Sequence, residues 1–337
     1  MADRINLVSF PGLGIGEMKL HTVAFTLFGR PVAWYGVIIM VGVILAVLYA
    51  ISRTKVEKKL FSGLSDKKTP IPDDILDYAI YCVFFGILCA RAYYVIMRWD
   101  AYYVAGDFVK TLRNCIAIWE GGLAIYGGII GGVITAFIVS KIKKQNILQI
   151  LDVVSPGVMI GQLMGRWGNF VNAEAYGAET NLPWRMGITE YGVTTCYHPT
   201  FLYESLWNLL GFILIHLFYP KKKYHGQIFV MYITWYGFGR MFIEGLRTDS
   251  LYVGSIRISQ LVGFICFIAG FAILFFKWIL SKGKPVAAAA GETVPEKTVS
   301  EETASEEAAG TDGSSSEAPE QPAPESEDKG ETNNDTH

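Results

Sequence analysis

Apolar residues in this chain run in long unbroken stretches, not in the alternation of a half-buried strand. A helix needs about 20 apolar residues to cross the hydrocarbon core of a bilayer. Stretches of that kind fall near 34–51, 75–97, 117–139, 147–170, 199–219, 227–246 and 257–279. The pattern predicts an all-α polytopic membrane protein with seven transmembrane helices. Lysine-rich segments follow the first, third, fifth and seventh stretches: SRTKVEKK, KIKK, PKKK and KGK. Strict alternation puts all four on one side, and cytoplasmic loops are the ones that collect Lys and Arg. The N-terminus is therefore expected outside and the C-terminus in the cytoplasm. Segments 1–33, 98–116, 172–198 and 247–256 fall on the other face, poorer in Lys and Arg and richer in aromatics. Residues 172–197 are expected to form a small outer cap. The first thirty residues lack a basic start followed by a continuous apolar run, so the first span is expected to insert as an uncleaved anchor.

The pattern stops near Pro285. Residues 285–337 are built mainly from Ala, Glu, Ser, Thr, Pro and Gly without an aromatic residue, and hold 14 of the 31 acidic side chains but two of the 29 basic ones. Such a segment buries too little apolar surface to offset its ordering entropy. It is expected to be a disordered acidic cytoplasmic tail behind a transmembrane domain of residues 1–284. Without it the chain is net basic, which suits anionic lipid, although basic cytoplasmic loops alone would produce the same excess. With 51% hydrophobic residues the chain does not read as a single soluble core, and nucleic acid is not an expected partner. Cys82, Cys89, Cys115, Cys196 and Cys266 form no CxxC pair and no metal-ligand spacing, so neither a metal nor another cofactor is expected.

Polar groups inside the apolar stretches carry the chemistry, because a charged side chain at the centre of a membrane helix costs about 2.5–3.5 kcal/mol even on a lenient scale. In WYGFGRMFIEGLR, Tyr236, Arg240, Glu244 and Arg247 fall within an arc of roughly 80° at the helical rotation of about 100° per residue. In GRWGNFVNAEAYG, residues 165–177, Arg166, Asn169 and Gly177 share a face if the segment is helical, with Glu174 at its margin. The turn-prone NAEAYG suggests that the helix ends about halfway through. Arg240 and Glu244 could simply neutralise each other at i, i+4, and Arg166 could snorkel to the outer headgroups. Two separate stripes of Arg, carboxylate and amide point instead to a shared polar cavity in which guanidinium groups clamp a phosphate. In a bilayer protein that phosphate belongs to a phospholipid.

These residues carry a resemblance. GRWGNFVNAEAYG is similar to the signature Gly-Arg-x-Gly-Asn-Phe-x-Asn-x-Glu-x-x-Gly of the prolipoprotein diacylglyceryl transferases. The similarity extends to WYG at 34–36, ARAYYV at 90–95, IWEGGLAIYGGIIGG at 118–132, Asp152 and Pro156, HPTFLYE at 198–204 and YGFGRMFIEGLR at 236–247. Only the tail lies outside it. The resemblance implies a multi-pass enzyme of the bacterial cell membrane that transfers the diacylglyceryl group of phosphatidylglycerol to the lipobox cysteine of a preprolipoprotein. Glycerol phosphate leaves and a thioether remains. It further implies that Arg166 and Asn169 hold the phosphatidylglycerol headgroup and that Arg240 stabilises the leaving phosphate. Glu174 and Glu244 would orient those guanidiniums, and Gly177 and Gly168 would allow close backbone approach, although Gly is common in membrane helices and a packing role suits both glycines at least as well. Tyr35, Glu204, Tyr236 and Arg247 would complete the cavity lining.

One position departs from the family. Many members carry a histidine regarded as catalytic where this chain, in GGLAIYGG, has Tyr126. A phenol of pKa about 10 is a poor base for a thiol of pKa about 8.5. Either Tyr126 orients substrate through its hydroxyl, or the arginines favour the thiolate and no dedicated base stands here. His198, at the outer face, is the one histidine positioned as a stand-in. Intramembrane charges and Gly-rich helices also mark transport pathways, so a lipid or anionic-solute transporter or flippase is the alternative reading, although no duplicated halves are visible. A non-catalytic assembly factor would use the polar stripes for helix pairing alone.

Overall fold

A computed structural model describes residues 3–61, 69–248, 252–254 and 256–282; the expected acidic tail lies outside them. Helix dominates: α1 (Trp34–Phe61), α2 (Pro72–Met97), the short α3 (Trp99–Tyr102) and α4 (Phe108–Ile116), then α5 (Ile125–Ile142), α6 (Ile147–Val171), α7 (Thr200–Phe218), α8 (Gln227–Ile243) and α9 (Ile258–Lys282). Six segments among the described residues are long and apolar enough to cross a membrane: α1, α2, α5, α6, Thr200–Lys221 containing α7, and Ile258–Leu280 within α9. The remaining stretch expected from the sequence is helical for 17 residues in α8 and then tightens into a 3₁₀ turn at Glu244–Leu246. Outward positions such as Ile80, Phe84, Ile129, Val133 and Phe276 are more than half exposed, whereas Glu57, Asp74, Arg91, Asp152, Glu204 and Glu244 are buried. This distribution suits lipid as the surrounding solvent, with polar groups satisfied inside.

The helices pair closely: α1 lies along α6, α2 along α5 and α8 along α9. Small residues permit the approach. A Cβ on Gly157 would stand 2.7 Å from the Ala46 carbonyl oxygen of α1, and one on Gly127 would stand 2.5 Å from the Cys89 carbonyl oxygen of α2. Trp207 of α7 and Trp235 of α8 stack with centroids 4.2 Å apart, and each indole N–H donates to the other's backbone carbonyl at 3.1 and 3.0 Å. Asp152 of α6 accepts from the backbone N–H groups of Gly226 and Phe229 at 2.6 and 2.8 Å, which caps the start of α8. Lys222, fully buried, bridges Asp152 at 2.8 Å and Glu57 of α1. Tyr219 and Gln149 donate to the two Glu57 oxygens at 2.7 and 3.1 Å. The bundle is thus tied at this end by an ionic knot joining α1, α6 and α8.

Two sequence expectations need correction. The chain is mostly helical but not all-α: β1 (Ile5–Phe10), β2 (Ile15–His21), β3 (Val23–Leu27), β4 (Arg30–Ala33), β5 (Met186–Glu190) and β6 (Val193–Tyr197) are strands, with a further two-residue pair β7 (Tyr252–Val253) and β8 (Ile256–Arg257). Four of them form an antiparallel sheet in the order β2-β1-β5-β6, so the N-terminus pairs with the segment between α6 and α7. Val8, Met186 and Ile188 of this sheet pack with Ala173 and Phe201 in one apolar cluster, against the end of α6 and the start of α7. Strands this short, paired across the whole membrane domain, leave no mark in a search for 20-residue apolar stretches.

The second correction concerns the stretch 117–139, whose helix begins only at Ile125. Arg91 of α2, 5% exposed, prevents an earlier start. Its guanidinium donates to the carbonyls of Asn114, Cys115, Ala117, Gly121 and Gly122 at 2.5–3.1 Å. Carbonyls that a helix would have used internally are satisfied by one side chain instead. Gly121 and Gly122 take φ of 91° and 81°, and a Cβ on Gly122 would stand 2.7 Å from the Arg91 guanidinium, so the loop needs glycine there.

Candidate active site

Three elements bring the site together at the end of the bundle that carries the sheet. Helix α6 ends at Val171, with Ala173 and Ala175 in the left-handed region at φ 49° and 58°. The turn carries the chain from Arg166 and Asn169 to Glu174 and on to Gly177. Gly177 donates its N–H to the His198 carbonyl at 3.0 Å, and Ala178 donates to the Leu246 carbonyl at 2.9 Å. This backbone strap fastens the end of α6 to the start of α7 and to the turn after α8. A Cβ on Gly177 would stand 2.7 Å from His198 Cβ and 2.9 Å from the Leu246 carbonyl oxygen. Gly168 has the packing role too, since the Tyr35 ring lies where its Cβ would be, 2.7 Å away.

Glu204, in the first turns of α7 and 5% exposed, is the hub. Arg166 of α6 reaches it at 2.7 Å, Arg240 of α8 at 3.2 Å to both oxygens, and Arg247 at 3.4 Å. Arg240 also pairs with Glu244 at 2.6 Å. The arginine stripes of α6 and α8 thus belong to one buried cluster, joined by a carboxylate from the helix between them. Arg166 donates to Asn169 Oδ1 at 3.1 Å, and Asn169 Nδ2 donates to Glu174 at 2.8 Å. Tyr236 lies within electrostatic reach of Arg240, Glu204 and Arg166. Tyr35 and Glu174 also line a cavity of about 400 Å³ together with Arg4, Thr22 and Asn172.

Some assignments shift in detail. Glu244 contacts a guanidinium as expected, but among the described residues Glu174 accepts from Asn169 and Asn172 and pairs with no arginine. Glu204, expected only as lining, takes the central place. Tyr126 makes no hydrogen bond with any of these side chains among the described residues; it is the second residue of α5 and 36% exposed. The His198 ring hydrogen-bonds the Tyr203 hydroxyl at 3.2 Å, and its backbone receives the Gly177 N–H. Arg91 escaped notice as a structural centre, although a lone arginine in the apolar run ARAYYV was the signal that would have found it.

A family model described as prolipoprotein diacylglyceryl transferase matches residues 22–276. The chain belongs to that family. It is 47% identical over 252 residues to the phosphatidylglycerol–prolipoprotein diacylglyceryl transferase of Finegoldia magna, covering 74% of this chain and 93% of the relative. The enzyme of the same name from Clostridioides difficile is 45% identical over 251 residues, at 74% and 93% coverage. That of Listeria welshimeri is 41% identical over 273 residues, at 79% and 92%. The diacylglyceryl transferase match takes in both arginine stripes, Glu204 and the Arg91 loop, so the whole cluster lies inside the region shared with the family.

Proposed function

We propose that this chain transfers the diacylglyceryl group of phosphatidylglycerol to the thiol of a preprolipoprotein lipobox cysteine in the bacterial cell membrane. The observation that carries the reading is the convergence of Arg166, Arg240 and Arg247 on one buried carboxylate, inside a chain of the family. In the reaction a sulfur–carbon bond forms, and the bond from the diacylglyceryl carbon to a phosphate oxygen breaks. The electron pair stays on that oxygen, glycerol phosphate departs, and the thiol proton is lost to water. Arg166 and Asn169 hold the headgroup, and Arg240 meets the charge that develops on the leaving phosphate. Buried Arg240 Nε–H, which has no acceptor among the described residues, is a spare donor for a phosphate oxygen. Glu244 orients Arg240, while Glu174 orients Asn169. Tyr35, Tyr236 and Arg247 line the site. Family membership disfavours the transporter and assembly-factor readings. A lipobox peptide incubated with the protein in phosphatidylglycerol vesicles should gain the mass of one diacylglyceryl group; an unmodified peptide would refute the reading.

The proposed topology has seven crossings, with α8 as the sixth, the N-terminus outside, the C-terminus cytoplasmic and the sheet as a small outer cap. The Lys distribution supports it, as does the packing of α8 between α7 and α9. A reporter active only in the cytoplasm should function when fused after Lys284 and fail when inserted near Asn181. The reverse pattern would overturn the orientation and put the site on the wrong side for secreted substrates.

Tyr126 is proposed to act through its hydroxyl as a donor to substrate. Tyr126→Phe is then expected to lose roughly tenfold to a thousandfold in rate, the scale of one positioned hydrogen bond. Tyr126→His should retain activity, and a histidine acting as base would add an ionisation near pH 6–7 to the rate profile. Parent-like rates in the Phe variant would remove Tyr126 from the mechanism.

A further inference from the structure

An apolar cleft of about 530 Å³ follows α6 from Ile150 to Gly165, the residue before Arg166, with α1, α2 and α5 as its other walls. That length of helix rises about 22 Å, more than the roughly 15 Å that the hydrocarbon of one leaflet occupies. Of the side chains that line the cleft, Tyr78, Cys82 and Gln162 can hydrogen-bond. Two are committed: the Tyr78 hydroxyl donates to Gln145 at 3.1 Å, and the Cys82 thiol to the Gly132 carbonyl at 3.6 Å. Gln162 is committed at one end of its amide alone. Its Nε2 donates to the Tyr232 hydroxyl of α8 at 3.0 Å, while its Oε1 is closed to water and has no hydrogen-bond partner among the described residues. The space beside it is open, because a Cβ at Gly161 or Gly165 would meet nothing within 4 Å. A buried amide with one end unpaired is costly, and in an apolar cleft the missing partner has to arrive with the ligand.

Position along α6 indicates which ligand atom that is. Gln162 stands one turn before Arg166 on the same side of the helix, about 6 Å further from the cap end. With a lipid phosphate at Arg166, the groups that follow it into the cleft are the two esters on the same glycerol. An ester carbonyl needs a donor. The amide supplies one when turned over about its terminal torsion, which is broad and roughly two-fold: the Tyr232 hydroxyl then donates to Oε1, and the Nε2 hydrogens are left for the carbonyl. We propose that Gln162 is a specificity-determining residue that donates to an ester carbonyl of the lipid whose chain lies in the cleft, and so selects diacyl over dialkyl phosphatidylglycerol. The proposal rests on the transferase reading and deepens it. Tyr232 holds the amide, Gly161 and Gly165 leave space for the ester, and Arg166 keeps the phosphate in register. A dialkyl lipid brings no carbonyl, and water does not reach the amide to replace it.

The test uses the full chain in mixed micelles with a lipobox peptide, and compares diacyl and dialkyl phosphatidylglycerol of equal chain length. The bond that forms and the bond that breaks at the reacting carbon are the same for both lipids. The parent should show a kcat/KM at least about tenfold higher for the diacyl lipid, the scale of one buried hydrogen bond left unmade. Gln162→Met, similar in length and without the amide, should shrink that preference to about twofold or less, through a fall in the diacyl rate while the dialkyl rate holds. Tyr232→Phe, which removes the hydroxyl that orients the amide, should lower the preference in the same direction. Equal use of the two lipids by the parent would overturn the proposal. So would a parent-like preference in Gln162→Met, or in Tyr232→Phe where the Met variant does not fold. An equal loss with both lipids would mean that Gln162 meets the signal peptide instead, and would overturn it too. A parent that transfers from neither lipid would defeat the transferase reading itself.

Discussion

Arg166→Ala and Arg240→Ala are each expected to reduce transfer to a lipobox peptide by at least about a hundredfold to a thousandfold, the scale of losing one preorganised charge-stabilising group. Arg166 binds Glu204 with one terminal nitrogen and Asn169 with the other, so its loss removes the proposed phosphate partner and frees Asn169, the proposed headgroup amide, together. Arg240 spans Glu204 and Glu244, and its removal leaves Glu244, 2% exposed, without its ion-pair partner. Lysine should rescue poorly at either position, because a single ammonium cannot reproduce a planar fork that reaches two groups at once. Both variants should still insert into membranes, since the apolar segments that drive insertion are untouched. Initial rates from the peptide mass shift, measured on protein with a parent-like elution profile, decide the matter. Parent-like rates in either variant would end the clamp assignment.

Lys222→Met is expected to have the largest effect on stability. Lys222, Glu57 and Asp152 side chains are 0% exposed, and the ammonium is shared by both carboxylates. Removing one partner from a buried ionic group costs about 3–5 kcal/mol, because the charges left behind lose their compensation. A fall in melting temperature of about 10 °C in detergent is the corresponding outcome for a domain of this size. Asp152 also caps α8, the helix that carries Arg240, so transfer should decline with stability. Lys222→Met combined with Glu57→Gln should recover part of the loss by removing one stranded charge. An unchanged melting temperature in the single variant would show that the knot contributes nothing net.

The site was legible to different depths. Arg166, Asn169, Arg240 and Glu244 stood out because charged and amide groups in apolar runs are costly unless partnered, and the geometry gives each of them a partner. Glu204 was visible in HPTFLYE, but its centrality was not: a carboxylate on a third helix shows its role only when the two arginine stripes close upon it. Glu174 was misdirected because its turn, with two alanines at positive φ, points it at Asn169. The late start of α5 was hidden for a similar reason. Arg91 lies more than twenty residues before the carbonyls it binds, and nothing within GGLAIYGG reveals that its backbone is already satisfied.

Membrane residence, helix order and the chemical type of the site were determined by the sequence alone. Each depends on local composition: apolar length against the thickness of hydrocarbon, and arginine and amide against the cost of an unpaired charge. Tertiary structure alone decided the sheet between residues 5 and 197, the loop held by Arg91, the ionic knot at Lys222 and the place of Glu204 among three guanidiniums. All four are contacts between groups far apart in the chain, and their free energy comes from satisfying a buried polar group with a partner that only folding brings within about 3 Å.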